Sequence, residues 1–230
     1  MNSLVVASTR LDQYERLFQD KVLMETLLHR VAPDVRQRVE RYRRPLPALQ
    51  TLFGRLLLDA VLFWRGFRLT SSDLVLSENG KPYFVEGPSV SVAHSGEFVL
   101  CALVHQGAVG LDVEEKRFIA PDTLSAVWTE EERRELRQGS DTSTVLSRWT
   151  AKECLVKMTG EGFRFPLNRI DPGLLSVLNQ FDCAALLQLQ LEGNALASIA
   201  TTFCVRRIEQ VRFSVQQLLE FEGDFSRFKK

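Results

Sequence analysis

The stretch that most restricts the fold is an almost entirely apolar run from Ala48 to Phe67, "ALQTLFGRLLLDAVLFWRGF". Three of its polar residues, Thr51, Arg55 and Asp59, recur at every fourth position and therefore share one face of a helix. A helix with a single narrow polar stripe must be buried over most of its surface. The sequence predicts a core helix whose stripe faces a polar site, or one in which Arg55 and Asp59 simply pair.

Composition narrows the class of protein. The 230 residues are 45% hydrophobic and 25% charged, which allows one large domain or two small ones. Because 29 basic side chains balance 29 acidic ones, no overall field favours nucleic acid or an anionic membrane as a partner. The four cysteines lack a CxxC spacing, and we find no signal peptide and no uninterrupted apolar run of the roughly 20 residues that span a bilayer. We expect a reduced, cytoplasmic, monomeric protein that binds neither nucleic acid nor membranes.

A pair of strands is predicted between Ser89 and Lys116, joined by a short turn at 105–107. The continuous apolar run Phe98–Val104 is typical of a buried strand, whereas Asp112 and Glu114 alternate with apolar residues and so share one face. Antiparallel pairing of these two strands would bring the preceding "AHSG" motif and both carboxylates to the same end.

The acidic face of the second predicted strand is a candidate site. Gly110 is expected to leave empty volume beside Asp112 and Glu114. Two carboxylates beside such a space suit a hard cation such as Mg²⁺, although two solvent-facing acids are an equally good interpretation.

The helix around "WTAKECLVK", from Trp149 to Lys157, has an acid within its apolar stripe. Glu153 falls beside Val145, Trp149 and Val156 at about 100° per residue. An unpaired buried carboxylate costs several kcal/mol, so Glu153 requires a partner. A pair with Lys157 one turn later is the simplest answer, and a metal ion is the alternative.

Other segments carry weaker signals. The run 33–44, "PDVRQRVERYRR", is the one clear basic cluster and is either a solvated helix face or a phosphate site. A turn, "SENGKPYF", holds Lys81, and a helix is predicted from Ala120 to Leu136 with Thr129 as a cap. Beyond Asp171, "LLQLQLE" and "TFCVRRIEQVRFSV" predict strands of a second sheet.

Taken in order, "NGKPYF", "SVAHSG", "GLDVEE" and "WTAKECLVKMTGEG" resemble the motifs of Sfp-type 4′-phosphopantetheinyl transferases. The two strongest motifs are G-hydrophobic-D-hydrophobic-E, here Gly110 to Glu114, and W-[ST]-x-K-E-x-x-x-K, here Trp149 to Lys157. The resemblance implies an α+β fold of two similar halves about a pseudo-twofold axis, here 1–106 and 107–230. Coenzyme A and Mg²⁺ would bind between the halves.

The resemblance also implies an enzyme that moves 4′-phosphopantetheine from coenzyme A to a serine of an apo acyl or peptidyl carrier protein, releasing 3′,5′-ADP. Asp112, Glu114 and Glu153 correspond to ligands of Mg²⁺, with Mn²⁺ as an alternative. Glu153 is then also the base, directly or through a metal-bound water. Lys157 stabilises or protonates the departing phosphate.

Further positions that match coenzyme A contacts of the family are Lys81, His94, Arg38, Thr51 and Lys152. Two departures bear on affinity: Ala93 lacks a hydroxyl common in the "SVAHSG" motif, and Gln50 replaces a common basic residue before Thr51. The alternative to the enzyme is a non-catalytic protein that binds coenzyme A or a carrier protein. A nucleotidyl or phosphoryl transferase of another class would show a Gly-rich phosphate loop, and the sequence has none.

Overall fold

The structure is a computed structural model that describes residues 3–116, 127–139, 141–162, 165–171, 175–192 and 194–221. Its strands are β1 (Ser3–Arg10), β2 (Val75–Leu76), β3 (Pro82–Tyr83), β4 (Ser89–Ser95), β5 (Phe98–Val104), β6 (Val109–Glu115), β7 (Ala185–Leu191), β8 (Ala195–Thr201) and β9 (Arg207–Arg212). Its helices are α1 (Tyr14–Gln19), α2 (Lys21–Leu28), α3 (Pro33–Arg41), α4 (Pro45–Trp64), α5 (Glu130–Arg137), α6 (Thr142–Thr159), α7 (Leu175–Gln180) and α8 (Val215–Glu220).

Two sheets lie between two long helices. The first sheet has the strand order β4-β5-β1-β9, the second has the order β6-β8-β7, and β2 and β3 form a separate pair. Helix α4 covers one face of the first sheet, and the opposite face packs on the second sheet through residues such as Leu100 and Leu111. Helix α6 covers the far side of the second sheet, where Leu155 and Met158 pack beside Ala200. The predicted α+β class is confirmed, whereas the pseudo-twofold axis and the boundary after residue 106 remain predictions.

The predicted core helix is confirmed as α4. Pro45 begins it, where a missing N–H costs nothing, and twelve of its residues are buried. By length and mean hydropathy alone α4 could span a membrane, but 67% of its most apolar window is covered by the rest of the protein. Most of its apolar surface therefore lies in the core, and Phe63 and Trp64 at its end are partly exposed.

The predicted pairing of β5 with β6 is wrong. Strand β5 pairs antiparallel with β4 on one edge and with β1 on the other, so neither edge is free for β6. Residues 105–108 instead carry the chain into the second sheet, where β6 pairs antiparallel with β8. The strand predicted in "TFCVRRIEQVRFSV" is also misplaced: it is β9, and it pairs parallel with β1 in the first sheet.

The two sheets are joined by serine side chains. Hydroxyl oxygens along β4 accept hydrogen bonds from backbone N–H groups along β6, and these bonds replace a strand ladder. The donor and acceptor pairs are Val109 to Ser89 at 3.2 Å, Leu111 to Ser91 at 3.0 Å and Glu115 to Ser95 at 3.1 Å. This junction places the "AHS" residues of β4 beside the acids of β6.

Local capping chemistry fixes the ends of α5 and α6. Thr129 accepts from the N–H of Glu132 at 3.2 Å, and Glu132 accepts from the N–H of Thr129 at 2.8 Å, so the predicted cap is confirmed. The predicted helix over 120–136 is confirmed only from Glu130, and residues 120–126 lie outside the described residues. Asp141 caps α6, and Gly160 ends it with φ +79°.

Candidate active site

A cavity of about 330 Å³ lies between α4, β4 and the C-terminal end of α6. Its lining includes five basic side chains, Arg38, Arg55, Lys81, His94 and Lys157. No described Asp or Glu lines it. A concave site with several cations and no acid attracts an anion, and several phosphates in one ligand would match it.

Four of the predicted coenzyme A contacts, Arg38, Thr51, Lys81 and His94, line this cavity together. The Nζ of Lys81 donates to the carbonyl oxygen of Met158 at 2.6 Å and so binds the β2–β3 turn to the end of α6. Burial lowers the pKa of Lys81 to about 8. Burial also lowers the pKa of His94, and the charge of Lys157 adds to this effect.

The fifth predicted contact, Lys152, lies elsewhere. Its side chain is 0% exposed, and its Nζ donates to Glu132 Oε2 at 2.5 Å, Val127 O at 2.9 Å and Leu167 O at 3.2 Å. The ammonium also lies 5.3 Å from the ring centroid of Trp128. We therefore correct this assignment, because Lys152 holds α6 to α5 from inside the core and cannot reach a ligand in the cavity.

The carboxylates of the metal prediction lie behind Lys157. Asp112 is buried, and its Oδ1 accepts from Lys157 Nζ at 2.6 Å, while its Oδ2 has no hydrogen-bond partner among the described residues. Burial raises the pKa of Asp112 to about 7 although Lys157 opposes the change, and Glu153 and Glu114 raise it further. Burial lowers the pKa of Lys157, but Asp112 and Glu153 outweigh burial and raise it overall.

Glu153 is buried, as its place in the apolar stripe predicted. No described residue forms a hydrogen bond with its Oε1, and burial raises the pKa of Glu153 against the opposing charge of Lys157. The simple ion pair between Glu153 and Lys157 is not formed in the described part of the chain, since Lys157 binds Asp112 on the neighbouring strand instead. One oxygen of Glu153 therefore remains open to a cation or to a proton.

Glu114 is bound by protein donors. Its Oε2 accepts from Ser95 Oγ at 2.7 Å, and its Oε1 accepts from Trp149 Nε1 at 3.3 Å. Within the described ranges no three His, Cys, Asp or Glu side chains form a group that could hold a metal ion. The two partnerless oxygens, Asp112 Oδ2 and Glu153 Oε1, nevertheless fit a hard cation, which prefers carboxylate ligands.

The expectation that Gly110 leaves empty volume is wrong. A Cβ at this position would lie 1.9 Å from the carbonyl oxygen of Cys154 and 2.4 Å from the backbone nitrogen of Met158. Both atoms belong to α6, so the glycine allows the helix backbone to lie directly on β6. This close approach is what brings Lys157 to Asp112.

The two departures from the family motif occupy defined positions. Gln50 is buried, and its Nε2 donates to the carbonyl oxygen of Gly96 at 2.7 Å, which holds the turn after β4. Ala93 is 3% exposed and packs between the sheets, while His94, the next residue on β4, lines the cavity. Since successive side chains of a strand alternate, a hydroxyl at 93 would face β6 and not the cavity.

Arg55 is a further cavity residue, and the polar stripe that contains it faces a polar site, as one of the two interpretations predicted. The alternative, a pair of Arg55 with Asp59, is not formed, because Asp59 accepts hydrogen bonds from the backbone N–H and the hydroxyl of Ser71. The four-residue spacing of Thr51 and Arg55 was the signal that could have assigned Arg55 to this site, since both side chains line the same cavity.

Comparison with known proteins agrees with this site. A family model of the 4′-phosphopantetheinyl transferase superfamily matches residues 108–204, which include β6 and α6. A putative 4′-phosphopantetheinyl transferase of Synechocystis sp. is 31% identical over 152 residues, covering 59% of this chain and 59% of that protein. The 4′-phosphopantetheinyl transferase gsp of Aneurinibacillus migulanus is 27% identical over 154 residues, covering 65% and 64%.

A third relative, the 4′-phosphopantetheinyl transferase psf-1 of Bacillus pumilus, is 27% identical over 158 residues, covering 63% of this chain and 64% of that protein. The chain thus spans about three fifths of the length of the curated relatives it matches. The family model and all three relatives agree with the resemblance of the four motifs. The chain is therefore similar to 4′-phosphopantetheinyl transferases over about three fifths of its length, and the model of that superfamily matches its residues 108–204.

Proposed function

We propose that the protein transfers the 4′-phosphopantetheine group of coenzyme A to a serine of an apo acyl or peptidyl carrier protein. The observation that carries this proposal is the position of Lys157. Its side chain lines the basic cavity and is hydrogen-bonded to Asp112 of the buried carboxylate group. A polyanion in the cavity would thus meet the candidate base and the candidate cation ligands at one end.

In this reaction the serine oxygen of the carrier attacks the phosphorus that bears the pantetheine group. The bond from that phosphorus to the bridging oxygen breaks, and 3′,5′-ADP leaves with the bonding electrons. Glu153 would take the proton of the serine, and burial, which raises its pKa, makes its carboxylate a stronger base than an exposed one. Lys157, held in place by Asp112, would offset the negative charge that develops on the leaving phosphate.

We further propose that Asp112, Glu114 and Glu153 hold Mg²⁺, or Mn²⁺ in its place. When bound, the ion would add positive charge at the diphosphate and lower the barrier to its cleavage. The open oxygens of Asp112 and Glu153 support this assignment, and mutual repulsion among the three carboxylates supports it further. We also propose a monomer that acts in the cytoplasm, where the four free cysteines would stay reduced.

Intact-mass analysis of carrier proteins tests the proposal. Apo carrier proteins from fatty-acid, polyketide and peptide synthesis are incubated with the protein, coenzyme A and Mg²⁺. We expect at least one carrier to gain the mass of one phosphopantetheine, and Glu153→Gln and Asp112→Asn to abolish the gain. Glu161→Gln, an exposed acid just after α6, is the matched control and should keep full activity.

Binding of coenzyme A, measured separately by calorimetry, distinguishes the two ways in which the assay can fail. If coenzyme A binds but no carrier gains mass, the protein is a non-catalytic binder of coenzyme A or of a carrier. If coenzyme A does not bind, the assignment of the cavity itself is wrong.

A further inference from the structure

Ser95, the last residue of β4, connects the first sheet to one of the candidate cation ligands. Its Oγ donates to Glu114 Oε2 at 2.7 Å. The same Oγ accepts from the backbone N–H of Glu115 at 3.1 Å. A hydroxyl has one proton to donate and two lone pairs that accept, so one side chain makes both bonds at once. Ser95 therefore ties the backbone of β6 and the side chain of Glu114 to a single atom of β4.

This double contact distinguishes Ser95 from the other serines that join the two sheets. Ser89 and Ser91 also accept from backbone N–H groups of β6, at 3.2 Å and 3.0 Å. Among the described residues, neither of these two hydroxyls donates to a carboxylate. The bond from Ser95 to Glu114 is thus not needed to join the sheets, and its effect falls on the carboxylate.

The carboxylate of Glu114 is held from two elements of the fold. Ser95 binds its Oε2 from the first sheet, and Trp149 Nε1 on α6 donates to its Oε1 at 3.3 Å. Two donors on different oxygens fix the rotation of the carboxylate, whereas one donor alone would let it turn. An oxygen that accepts one hydrogen bond still has a lone pair for a cation. Hydrogen bonds of this kind orient the carboxylates that bind metal ions.

The position of Ser95 is itself fixed by the turn that follows it. Gly96 has φ +54°, and a Cβ there would lie 2.0 Å from Glu115 Oε2, so the side chain of Glu115 covers the turn closely. From α4, the amide of Gln50 donates to the carbonyl oxygen of Gly96 at 2.7 Å. Ser95 also pairs with Phe98 between β4 and β5. Contacts within the protein therefore hold its hydroxyl in place, as a preorganised site requires.

We propose that Ser95 is a positioning residue that orients Glu114 for the divalent cation. This inference rests on the proposed function for the cation, but it does not depend on transfer to a carrier protein. Without the hydroxyl, Oε2 would lose this donor, and the carboxylate could turn about its bond to Trp149. Such a change lowers the affinity for an ion whose ligands must be held in place.

Titration with Mn²⁺, in which electron paramagnetic resonance measures the free ion, tests the inference. The full chain is compared with Ser95→Ala, Ser95→Thr and the matched control Ser89→Ala. The control removes a hydroxyl that joins the sheets but lies outside the lining of the basic cavity. We expect Ser95→Ala to raise the Kd for Mn²⁺ by about 10- to 100-fold, as is typical when a partner of a metal ligand is lost. Ser95→Thr, which keeps the hydroxyl, and Ser89→Ala should stay within about threefold of the unmodified protein.

Two further readouts separate positioning from folding. Ser95→Ala and Ser89→Ala each remove the acceptor of one backbone N–H of β6, so both variants should unfold at a lower urea concentration than the unmodified protein. In the mass assay with Mn²⁺ in place of Mg²⁺, only Ser95→Ala should need more Mn²⁺ to reach half of its maximal rate. Excess Mn²⁺ should then restore most of the transfer rate of Ser95→Ala. A defect of folding alone would appear in Ser89→Ala as well.

The other outcomes overturn the inference and distinguish it from the proposed function. An unchanged Kd in Ser95→Ala, or an equal rise in Ser89→Ala, would show that Ser95 only joins the sheets. A Ser95→Thr variant that binds Mn²⁺ as weakly as Ser95→Ala would exclude the hydroxyl bond as the cause. Failure of the unmodified protein to bind Mn²⁺ would overturn the proposed cation site together with the inference. Binding of Mn²⁺ that depends on Ser95, without transfer to any carrier, would support the inference and overturn only the proposed catalysis.

Discussion

Replacing Lys152 by methionine tests the corrected role of the motif lysine. The substitution keeps an apolar stem of similar length but removes an ammonium that donates to Glu132, Val127 and Leu167. Glu132 would then be a buried charge without its partner, and breaking a buried pair in this way costs about 3–5 kcal/mol. That is a large share of the total free energy of unfolding of a typical domain, about 5–15 kcal/mol.

A second substitution separates the charge from the helix cap. Glu132→Gln removes the negative charge but keeps a side-chain oxygen that can accept from the N–H of Thr129. The double variant Lys152→Met with Glu132→Gln should lose only about 1–2 kcal/mol, because just the donors to Val127 and Leu167 are missing. The two substitutions should therefore be strongly non-additive.

Urea unfolding of the two single variants, the double variant and the unmodified protein measures these differences. A loss below about 1 kcal/mol in Lys152→Met, or a double variant as unstable as that single one, would refute the buried-pair argument. Coenzyme A titration supplies the complementary test. Since Lys152 does not line the cavity, folded Lys152→Met should keep its affinity, and a tenfold loss would return Lys152 to the binding site.

The remaining predictions concern the sheet junction, the helix contact and the cavity. Ser91→Ala leaves the buried N–H of Leu111 without its acceptor and should lower the free energy of unfolding by about 1–3 kcal/mol, measured by urea unfolding. An unchanged free energy would contradict the role of serine hydroxyls in joining the two sheets. Gly110→Ala should push the backbone at Cys154 away from β6 and so lower the stability of the fold. In the mass assay this variant should lose most of the transfer rate. A stable and active variant would refute the contact. Lys81 must be protonated to attract a phosphate, and its pKa is about 8, so the affinity for coenzyme A should fall as the pH rises from 7 to 9. Lys81→Arg should abolish that fall, because arginine stays charged over this range. If the fall persists in Lys81→Arg, another group causes it.

Local features of the chain were predictable from the sequence. The extent of α4 follows from its apolar composition, and the ends of α5 and α6 follow from Thr129 and Gly160, because capping depends on neighbouring residues only. The resemblance to a known family also selected Arg38, Thr51, Lys81 and His94, which the fold brings to one cavity.

Strand pairing was not predictable in the same way. Apolar periodicity shows which face of a strand is buried but does not show which edge meets which partner. The short turn after β5 favoured a hairpin with β6. Both edges of β5 are instead paired with strands earlier in the chain, β4 on one edge and β1 on the other. The space beside Gly110 was predicted wrongly for a similar reason. The atoms that require a glycine there belong to α6, and the local sequence does not show which element packs on β6.

Helix α6 explains why a charge on an apolar stripe can mark a functional site. The helix lies against the second sheet on one side and has ten buried residues, so almost every charge on it must have a partner from another element. Lys152 is matched by Glu132 on α5, and Lys157 is matched by Asp112 on β6. The third charge, Glu153, has one oxygen that accepts no hydrogen bond from the described residues. Glu153 lies close enough to Asp112, which also has an open oxygen, to raise its pKa. The unbalanced negative charge of this helix thus lies at the proposed site of the cation and of the proton from the carrier serine.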